Sequence, residues 1–388
     1  MNSVKPTSVF SWSMLGSILA LCFSMNAFSQ GSHPLDNLEP GEWFEVPNSR
    51  LDSANPCPSV VCPPGNTGLQ GVVIAWSGGT YDTVNDQLLI WGGGHADYSG
   101  NEIYGFDVQS LSWSRVAEPS SSFGGDASSF LYPDGKPRSL HTHNYIEFVP
   151  PLNSFVSFGG VAPYPEGGRT TQRVFQYKLA TGEWDVNSIP DIPPGGRSRG
   201  ANAVYDPAIN KVWLAQANMA NSRLHLYDPD TNSWTSHSEY FVEFGSVAAL
   251  DPDRRLLVTV GSGQLLVWDL DNPDADPFTP NTTGDKYLEG RGAPGFVFDP
   301  TIQKFVGWSS GTSVYTLDPD TWRWTRVAAA DSNSVTPTNA DQRGTYGRFQ
   351  YMPQWNAYLV VNNTNQNVYM YKLNDEAVVQ SDPPANLR

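Results

Sequence analysis

The stretch from Gly92 to Glu102, GGGHADYSGNE, combines titratable side chains with glycines that allow sharp backbone turns. Its candidate functional side chains are His95, Asp97, Tyr98, Asn101 and Glu102. Imidazole and phenol groups are suited to proton transfer in catalysis, whereas imidazole and carboxylate groups also bind metal ions. Because the stretch follows the apolar run QLLIW, it is predicted to be either an active-site loop or a turn between two strands.

Arginines and further histidines occur in four other polar segments, KPRSLHTHNY, GGRSRGAN, EGRGAPG and QRGTYGRF. They supply Arg138, His141, His143, Arg197, Arg199, Arg291, Arg343 and Arg348. A planar guanidinium group can bind a carboxylate or sulfate through two hydrogen bonds. Since side chains alternate along a strand, His141 and His143 are expected on the same side.

A turn motif that recurs six times predicts the elements that hold these segments. The motif is eight residues long and begins with an aromatic residue or Leu. Its third residue is often Pro, its sixth is often Asn, and its eighth is apolar. The copies begin at Tyr81, Phe148, Tyr205, Leu250, Phe298 and Tyr351. Each copy joins two β-rich runs, and several are followed by a second pair of strands that ends in Trp.

Four strands per unit, repeated at this spacing, predict an all-β fold, a six-bladed β-propeller. A degenerate seventh blade is the alternative. The sixth unit ends at VYMYKL without its Trp strand, and GEWFEV, residues 41–46, is predicted to supply that strand and close the ring. The predicted domain covers residues 30–375, and residues 376–388 form a C-terminal tail.

The pair of glycines after the second strand and the later Trp resemble kelch repeats of the galactose-oxidase-like propeller group. This resemblance implies fold more than function, because propellers include both enzymes and binding modules. In a blade, the loop before the first strand and the loop after the second open on the same face. The polar segments described above are therefore expected to converge at one mouth of the central channel.

An exported propeller with arginines, histidines and tyrosines on one face suggests an anionic carbohydrate ligand. The hypothesis is a polysaccharide lyase that cleaves a uronate-containing polymer by β-elimination, and the residue types resemble those of propeller-type lyases such as ulvan lyases. Arg199 would hold the substrate carboxylate, His143 would be the base, and Tyr98 or His95 would donate the proton. The other predicted substrate-binding residues are Arg138, His141, Arg197, Arg291, Arg348 and Asn101.

Several alternatives remain open at this level. A glycan-binding module without catalysis would use the same residues, and a glycoside hydrolase would pair Asp97 or Glu102 with another acid. No cofactor is required, but His95, His141 and His143 could bind zinc. Asp97 and Glu102 could bind calcium. Each residue also has a structural interpretation, for example Asn101 as a loop cap or Arg343 as the partner of an aspartate.

The N-terminus predicts export. Lys5 precedes an apolar stretch, and Ala27-Phe28-Ser29 matches a cleavage site, so residues 1–29 are predicted to be a signal peptide and the protein to be secreted or periplasmic. Once Cys22 is removed with this peptide, Cys57 and Cys62 remain and are predicted to form a disulfide. A metal-binding cysteine pair is the alternative.

The net charge of −16 also limits the partners. A strongly acidic surface repels nucleic acid and anionic lipid, and no later segment is apolar and long enough to span a membrane. We therefore expect a soluble monomer that binds an anionic polysaccharide or oligosaccharide through a local cluster of arginines.

Overall fold

The protein is described by a computed structural model that covers residues 1, 33–58, 61–194, 200–217 and 222–373. The chain forms an all-β structure of six small sheets arranged as a six-bladed β-propeller. Residues 2–29 of the predicted signal peptide, the predicted tail 376–388, Arg197 and Arg199 lie outside the described residues. In the part that is described, no helix is long and apolar enough to cross a membrane.

The first strand, β1 (Trp43–Glu45), belongs to the last blade. Blade one contains β2 (Gly79–Asp82), β3 (Gln87–Ile90), β4 (Ile103–Asp107) and β5 (Ser112–Ala117). Blade two contains β6 (Ile146–Val149), β7 (Ser154–Val161), β8 (Thr170–Lys178) and β9 (Glu183–Asp185). Blade three contains β10 (Gly200–Asp206), β11 (Lys211–Ala217), β12 (Arg223–Asp228) and β13 (Ser233–Glu239).

The remaining blades are less regular. Blade four contains β14 (Val247–Asp251), β15 (Leu256–Gly261) and β16 (Gln264–Asp269), extended by a single bridge from Val267 to Phe278. Blade five contains β17 (Thr283–Gly284), β18 (Gly295–Asp299), β19 (Lys304–Trp308), β20 (Val314–Asp318) and β21 (Arg323–Val327). Blade six contains β22 (Phe349–Met352), β23 (Ala357–Val360) and β24 (Tyr369–Tyr371), and β1 pairs with β24.

In the described part of the chain, helical structure is confined to short segments outside the sheets. One α-helical turn, α1, spans Gly71–Ile74. The 3₁₀ turns are Pro34–Asp36, Leu51–Ala54, Gly68–Gln70, Pro150–Leu152 and Tyr346–Arg348.

All six turn motifs connect the first strand of a blade to its second, as predicted. The sixth residue of each copy adopts a left-handed conformation with φ between 43° and 56°, at Asp86, Asn153, Asn210, Arg255, Gln303 and Asn356. In three copies the initial tyrosine donates its hydroxyl hydrogen bond to that residue, as Tyr205 does to Asn210 at 2.6 Å. Asn and Asp tolerate this conformation, which explains why they recur in the motif.

The inner strands form a closed ring. Each contacts the next in the order β2, β6, β10, β14, β18 and β22, and β22 returns to β2. Among the described residues, six clusters of buried apolar side chains each join two neighbouring blades, such as Trp213 of blade three with Trp268 of blade four. The predicted closure by the N-terminal strand is confirmed, because β1 is the outer strand of blade six.

The predicted disulfide is also confirmed, since Cys57 and Cys62 are bonded. It closes a short loop on the segment before blade one, so it restricts few residues of the unfolded chain. We expect Cys57→Ser with Cys62→Ser to lower the free energy of unfolding by about 2 kcal/mol. Intact mass before and after alkylation, followed by chemical denaturation, checks this. Free thiols in the unreduced protein would contradict it.

Candidate functional site

A surface pocket of about 280 Å³ lies where segments of three blades meet on one face. It is lined by Trp76, His95, His141, His143, Val161, Ala162, Gly167, Gly168 and Phe244. These residues come from the loops before the first strands of blades one, two and four, and from segments that follow the second strands of blades one and two. The convergence follows from the propeller topology, because both kinds of loop open on the same face.

The loop after β3 presents His95 at the rim of this pocket. Gly94 and Tyr98 form an isolated bridge, and His95 has a left-handed φ of 47°. The His95 backbone N–H donates to the Ala162 carbonyl at 2.7 Å, which ties blade one to blade two. A side chain at Gly94 would place its Cβ 2.5 Å from that same carbonyl, so this close approach requires glycine. The turn thereby leaves the His95 side chain exposed.

Asp97, on the same loop, lies beside His141. Asp97 Oδ2 lies 3.4 Å from His141 Nε2, close enough for an ion pair but without the geometry of a hydrogen bond. Thr67 donates its hydroxyl hydrogen bond to Asp97 Oδ1 at 2.8 Å. The nearby His141 imidazole is the main cause that holds the pKa of Asp97 below its usual value. Burial lowers the pKa of His141, and Asp97 opposes this effect. At neutral pH the pair is therefore a carboxylate beside a neutral imidazole.

His143 is buried among aromatic rings. Its ring centroid lies 5.3 Å from Phe244, 5.5 Å from Tyr346 and 5.8 Å from Tyr145. Burial, with a smaller effect of His141, lowers the pKa of His143 to about 3. Its Nδ1 atom is buried without a hydrogen-bond partner. A neutral imidazole with this pKa is a weak base, but it can exchange a hydrogen bond with a ligand.

His141 and His143 approach each other in a way that strand alternation does not explain. They lie in an irregular segment before β6, and His143 has a left-handed φ of 43°. The His143 N–H donates to the Trp76 carbonyl at 2.6 Å, which holds the turn in place. The two imidazole centroids are 6.3 Å apart, with the rings near perpendicular.

Trp76 and Arg343 complete the described surroundings of the pocket. The Trp76 ring lies 5.0 Å from the His141 ring, and the Arg343 guanidinium lies 4.5 Å from the Trp76 ring. Arg343 donates to the Ile74 carbonyl at 3.1 Å and remains partly exposed. The sequence did not single out Trp76 or Phe244, because a lone aromatic residue in a loop carries no motif. It favoured a paired aspartate for Arg343.

Tyr98 and Glu102 lie below the loop surface and not in the pocket. Tyr98 is 2% exposed and donates its hydroxyl hydrogen bond to Glu102 Oε1 at 2.5 Å, and Tyr104 donates to the same oxygen at 2.7 Å. Burial raises the pKa of Glu102 and of both phenols. Tyr98 is thus displaced from the predicted donor position, and Glu102 is not available to form an acid pair with Asp97.

Three more predicted site residues hold the structure together. Asn101 donates to Ser120 Oγ and the Pro137 carbonyl and accepts from the Ser120 N–H. Arg138 donates to the carbonyls of Gly124, Asp126, Ser129 and Tyr164. Arg348 donates to the carbonyls of Ser77, Gly344 and Val361, and burial lowers its pKa to about 10. Both arginines are 1% exposed, so their guanidinium groups are not presented to a ligand.

The other predicted arginines are placed differently. Arg291 is exposed, and its guanidinium lies 4.2 Å from the ring of Tyr287 on blade five. Arg197 and Arg199 are outside the described residues, so their predicted roles stay predictions. Gly200, which follows Arg199 in sequence, begins β10.

The zinc and calcium hypotheses have no geometric support in the described parts of the chain. No three His, Cys, Asp or Glu side chains converge there closely enough to hold a metal ion.

No protein-family model and no curated protein matches the chain. Among solved structures, an auxiliary nutrient binding protein from Bacteroides thetaiotaomicron is similar, with a TM-score of 0.48 and 12% sequence identity. The similarity covers 77% of this chain and 68% of that chain.

Proposed function

We propose that the protein is an exported polysaccharide lyase that cleaves a uronate-containing polymer by β-elimination. The reaction would take place in the pocket lined by His95, His141 and His143, here called the histidine pocket. The observation that carries this proposal is the pairing of His141 with Asp97 at the pocket wall, 3.4 Å apart. The disulfide and the predicted signal peptide support an exported protein.

In this mechanism His141 is the base. It removes the proton beside the uronate carboxylate, and the electron pair of that C–H bond forms a new carbon–carbon double bond as the glycosidic C–O bond breaks. His141 is neutral at neutral pH because burial lowers its pKa, so it can accept this proton. The Asp97 carboxylate then stabilises the imidazolium ion.

His95 is proposed to protonate the leaving oxygen. Tyr98 was the other predicted donor, but its hydroxyl donates a hydrogen bond to Glu102 in the interior. His95 is exposed at the rim, and its ring lies 6.3 Å from the His141 ring. The two imidazoles therefore border the same cavity from different loops, as a base and an acid on one substrate require.

His143 is proposed to bind substrate and not to act as the base. Its pKa of about 3 makes it a poor proton acceptor, whereas its ring lines the pocket and can contact a bound substrate there. Arg343 supplies positive charge next to Trp76, and it lowers the pKa of both Asp97 and His141. Arg343, together with Arg199 as predicted from the sequence, is proposed to neutralise the substrate carboxylate.

A glycan-binding propeller without catalysis is the second candidate. Trp76 and Phe244 both line the pocket, and aromatic side chains supply a large apolar contact area for a ligand. The buried histidines would then act only as hydrogen-bonding groups. Both candidates would use the same binding surface, but only the lyase would turn over its ligand.

Incubation of the secreted protein with a panel of uronate polymers tests the proposal. A lyase produces an unsaturated uronate whose double bond absorbs in the ultraviolet, whereas a hydrolase produces new reducing ends without that absorbance. Absence of turnover with saturable binding to one polymer would favour the binding module. Neither turnover nor binding on any uronate polymer would refute both candidates.

Asp97→Asn should shift the pH dependence of turnover. Asp97 raises the pKa of His141 against the effect of burial, so its removal lowers that pKa further. The acidic limb of kcat/KM should therefore move to lower pH, by about one unit for each 1.4 kcal/mol of imidazolium stabilisation lost, and the plateau should fall. Asp274→Asn, which removes the partner of His237 outside the pocket, is the matched control. An unshifted limb in Asp97→Asn would exclude His141 as the base.

A further inference from the structure

The central channel of the propeller is a second cavity, separate from the histidine pocket. It has a volume of about 430 Å³, within the range of small-molecule sites, and its wall is built from the inner strands of all six blades. One ring of residues, at the position just before each turn motif, contributes one side chain per blade. This ring consists of Thr80, Glu147, Val204, Ala249, Val297 and Gln350.

The ring is polar on one side and apolar on the other. Gln350, Thr80 and Glu147 come from blades six, one and two, which are consecutive neighbours around the propeller. The opposite three blades supply only aliphatic side chains at this level. A ligand that fits this distribution carries a polar or charged group on one side and hydrocarbon on the other.

Glu147 is the acidic residue of this channel. It is the one carboxyl group among the described channel-lining residues, and no Lys, Arg or His lines that wall. Glu147 faces the channel space, so it is partly accessible there, but protein surrounds it. This burial raises its pKa to about 8, opposed only by the backbone N–H of Tyr205.

The other titratable groups near Glu147 are already hydrogen-bonded or ion-paired within the protein. The phenols of Tyr81, Tyr205 and Tyr351 donate to their own turn residues. On the adjacent inner strands, Asp82 accepts hydrogen bonds from its own turn and Asp206 pairs with Arg255. Glu147 is therefore the group of the described wall that a cation would meet.

We propose that the channel binds a small organic ammonium ion, with the ammonium group on Glu147 and the hydrocarbon part against Val204, Ala249 and Val297. A lone carboxylate is too few ligands for calcium, which takes six to eight oxygens, whereas it suits one monovalent cation. The net charge of −16 raises the local concentration of cations around the protein. The aromatic residues that begin the turn motifs line the same channel and add apolar contact.

Calorimetric titration of the whole secreted protein with cyclohexylammonium, and with cyclohexanol as its neutral counterpart, tests this site. We expect saturable binding of the ammonium ion at least about tenfold tighter than of the alcohol, because only the ion pairs with Glu147. At pH 7, titrations in buffers of different ionisation enthalpy should show release of about one proton, since Glu147 is protonated in the free protein and ionised in the complex.

Glu147→Gln should abolish both the preference and the proton release. Glu183→Gln removes the same charge from an exposed position on blade two and should change neither. If Glu147→Gln does not fold, ¹³C NMR of the wild-type Glu147 carboxyl replaces it, and the ammonium ion should lower the titration midpoint. Equal affinities for the ion and the alcohol, no saturable binding, or an unmoved midpoint would overturn the proposal.

Discussion

His141→Ala should reduce kcat/KM on the responsive uronate polymer by about 10²–10⁴-fold, the usual effect of removing a general base. The imidazole is the group that accepts the substrate proton, and no described side chain of the pocket can replace it. His143 has a pKa of about 3, and His95 lies across the cavity, with its ring 6.3 Å from that of His141. Initial rates of ultraviolet absorbance, measured across pH, give this loss directly.

His237→Ala is the matched control for this variant. His237 is also paired with an aspartate, since its Nδ1 lies 2.9 Å from Asp274, but it is on the outer strand of blade three. Its removal should leave turnover unchanged. Melting temperatures of both variants separate a catalytic loss from unfolding. Wild-type turnover in His141→Ala, or an equal loss in His237→Ala, would remove His141 from the mechanism.

Deletion of residues 41–47 should destabilise the entire propeller. The deletion removes β1 from blade six, exposing the backbone of β24 as a free edge. Trp43 alone is 3% exposed, contacts Trp308 and Tyr371, and donates to the Thr312 carbonyl at 2.9 Å. Loss of a buried Trp costs about 3–5 kcal/mol, so the deletion should cost at least that much.

Thermal and chemical denaturation measure this effect, with two point variants for comparison. Trp43→Ala should reproduce most of the loss, because the indole fills the contact between blades five and six. Glu45→Ala, at the exposed end of the same strand, removes one exposed hydrogen bond from Asn367 and should change stability by no more than about 1 kcal/mol. A deletion variant that melts cooperatively at the wild-type temperature would show that the ring does not depend on this closure.

The blade architecture was predictable because its signals are local in the chain. A turn motif specifies its own conformation, as the left-handed residues at Asn153, Asn210 and Asn356 illustrate. Six copies therefore predicted six blades. The closing strand followed from counting, since the sixth unit lacked one strand and a strand-like segment stood unused near the N-terminus.

The face on which the polar loops meet was also predictable, because strand direction alternates within a blade. The sequence did not predict which side chains reach the pocket. Tyr98 and His95 are three residues apart on one loop, yet one is buried and the other exposed. Their directions depend on long-range contacts, such as the bond from the His95 N–H to the Ala162 carbonyl.

The sequence by itself determined the fold class, the blade number, the closing strand and the disulfide, since each depends on short motifs or their count. The tertiary structure decided the use of each polar residue. Arg138 and Arg348 donate hydrogen bonds to backbone carbonyls, whereas His141 lies next to the Asp97 carboxylate of another blade. A long polar side chain pairs with whatever group the packing brings near it, and those groups come from residues far away in the chain.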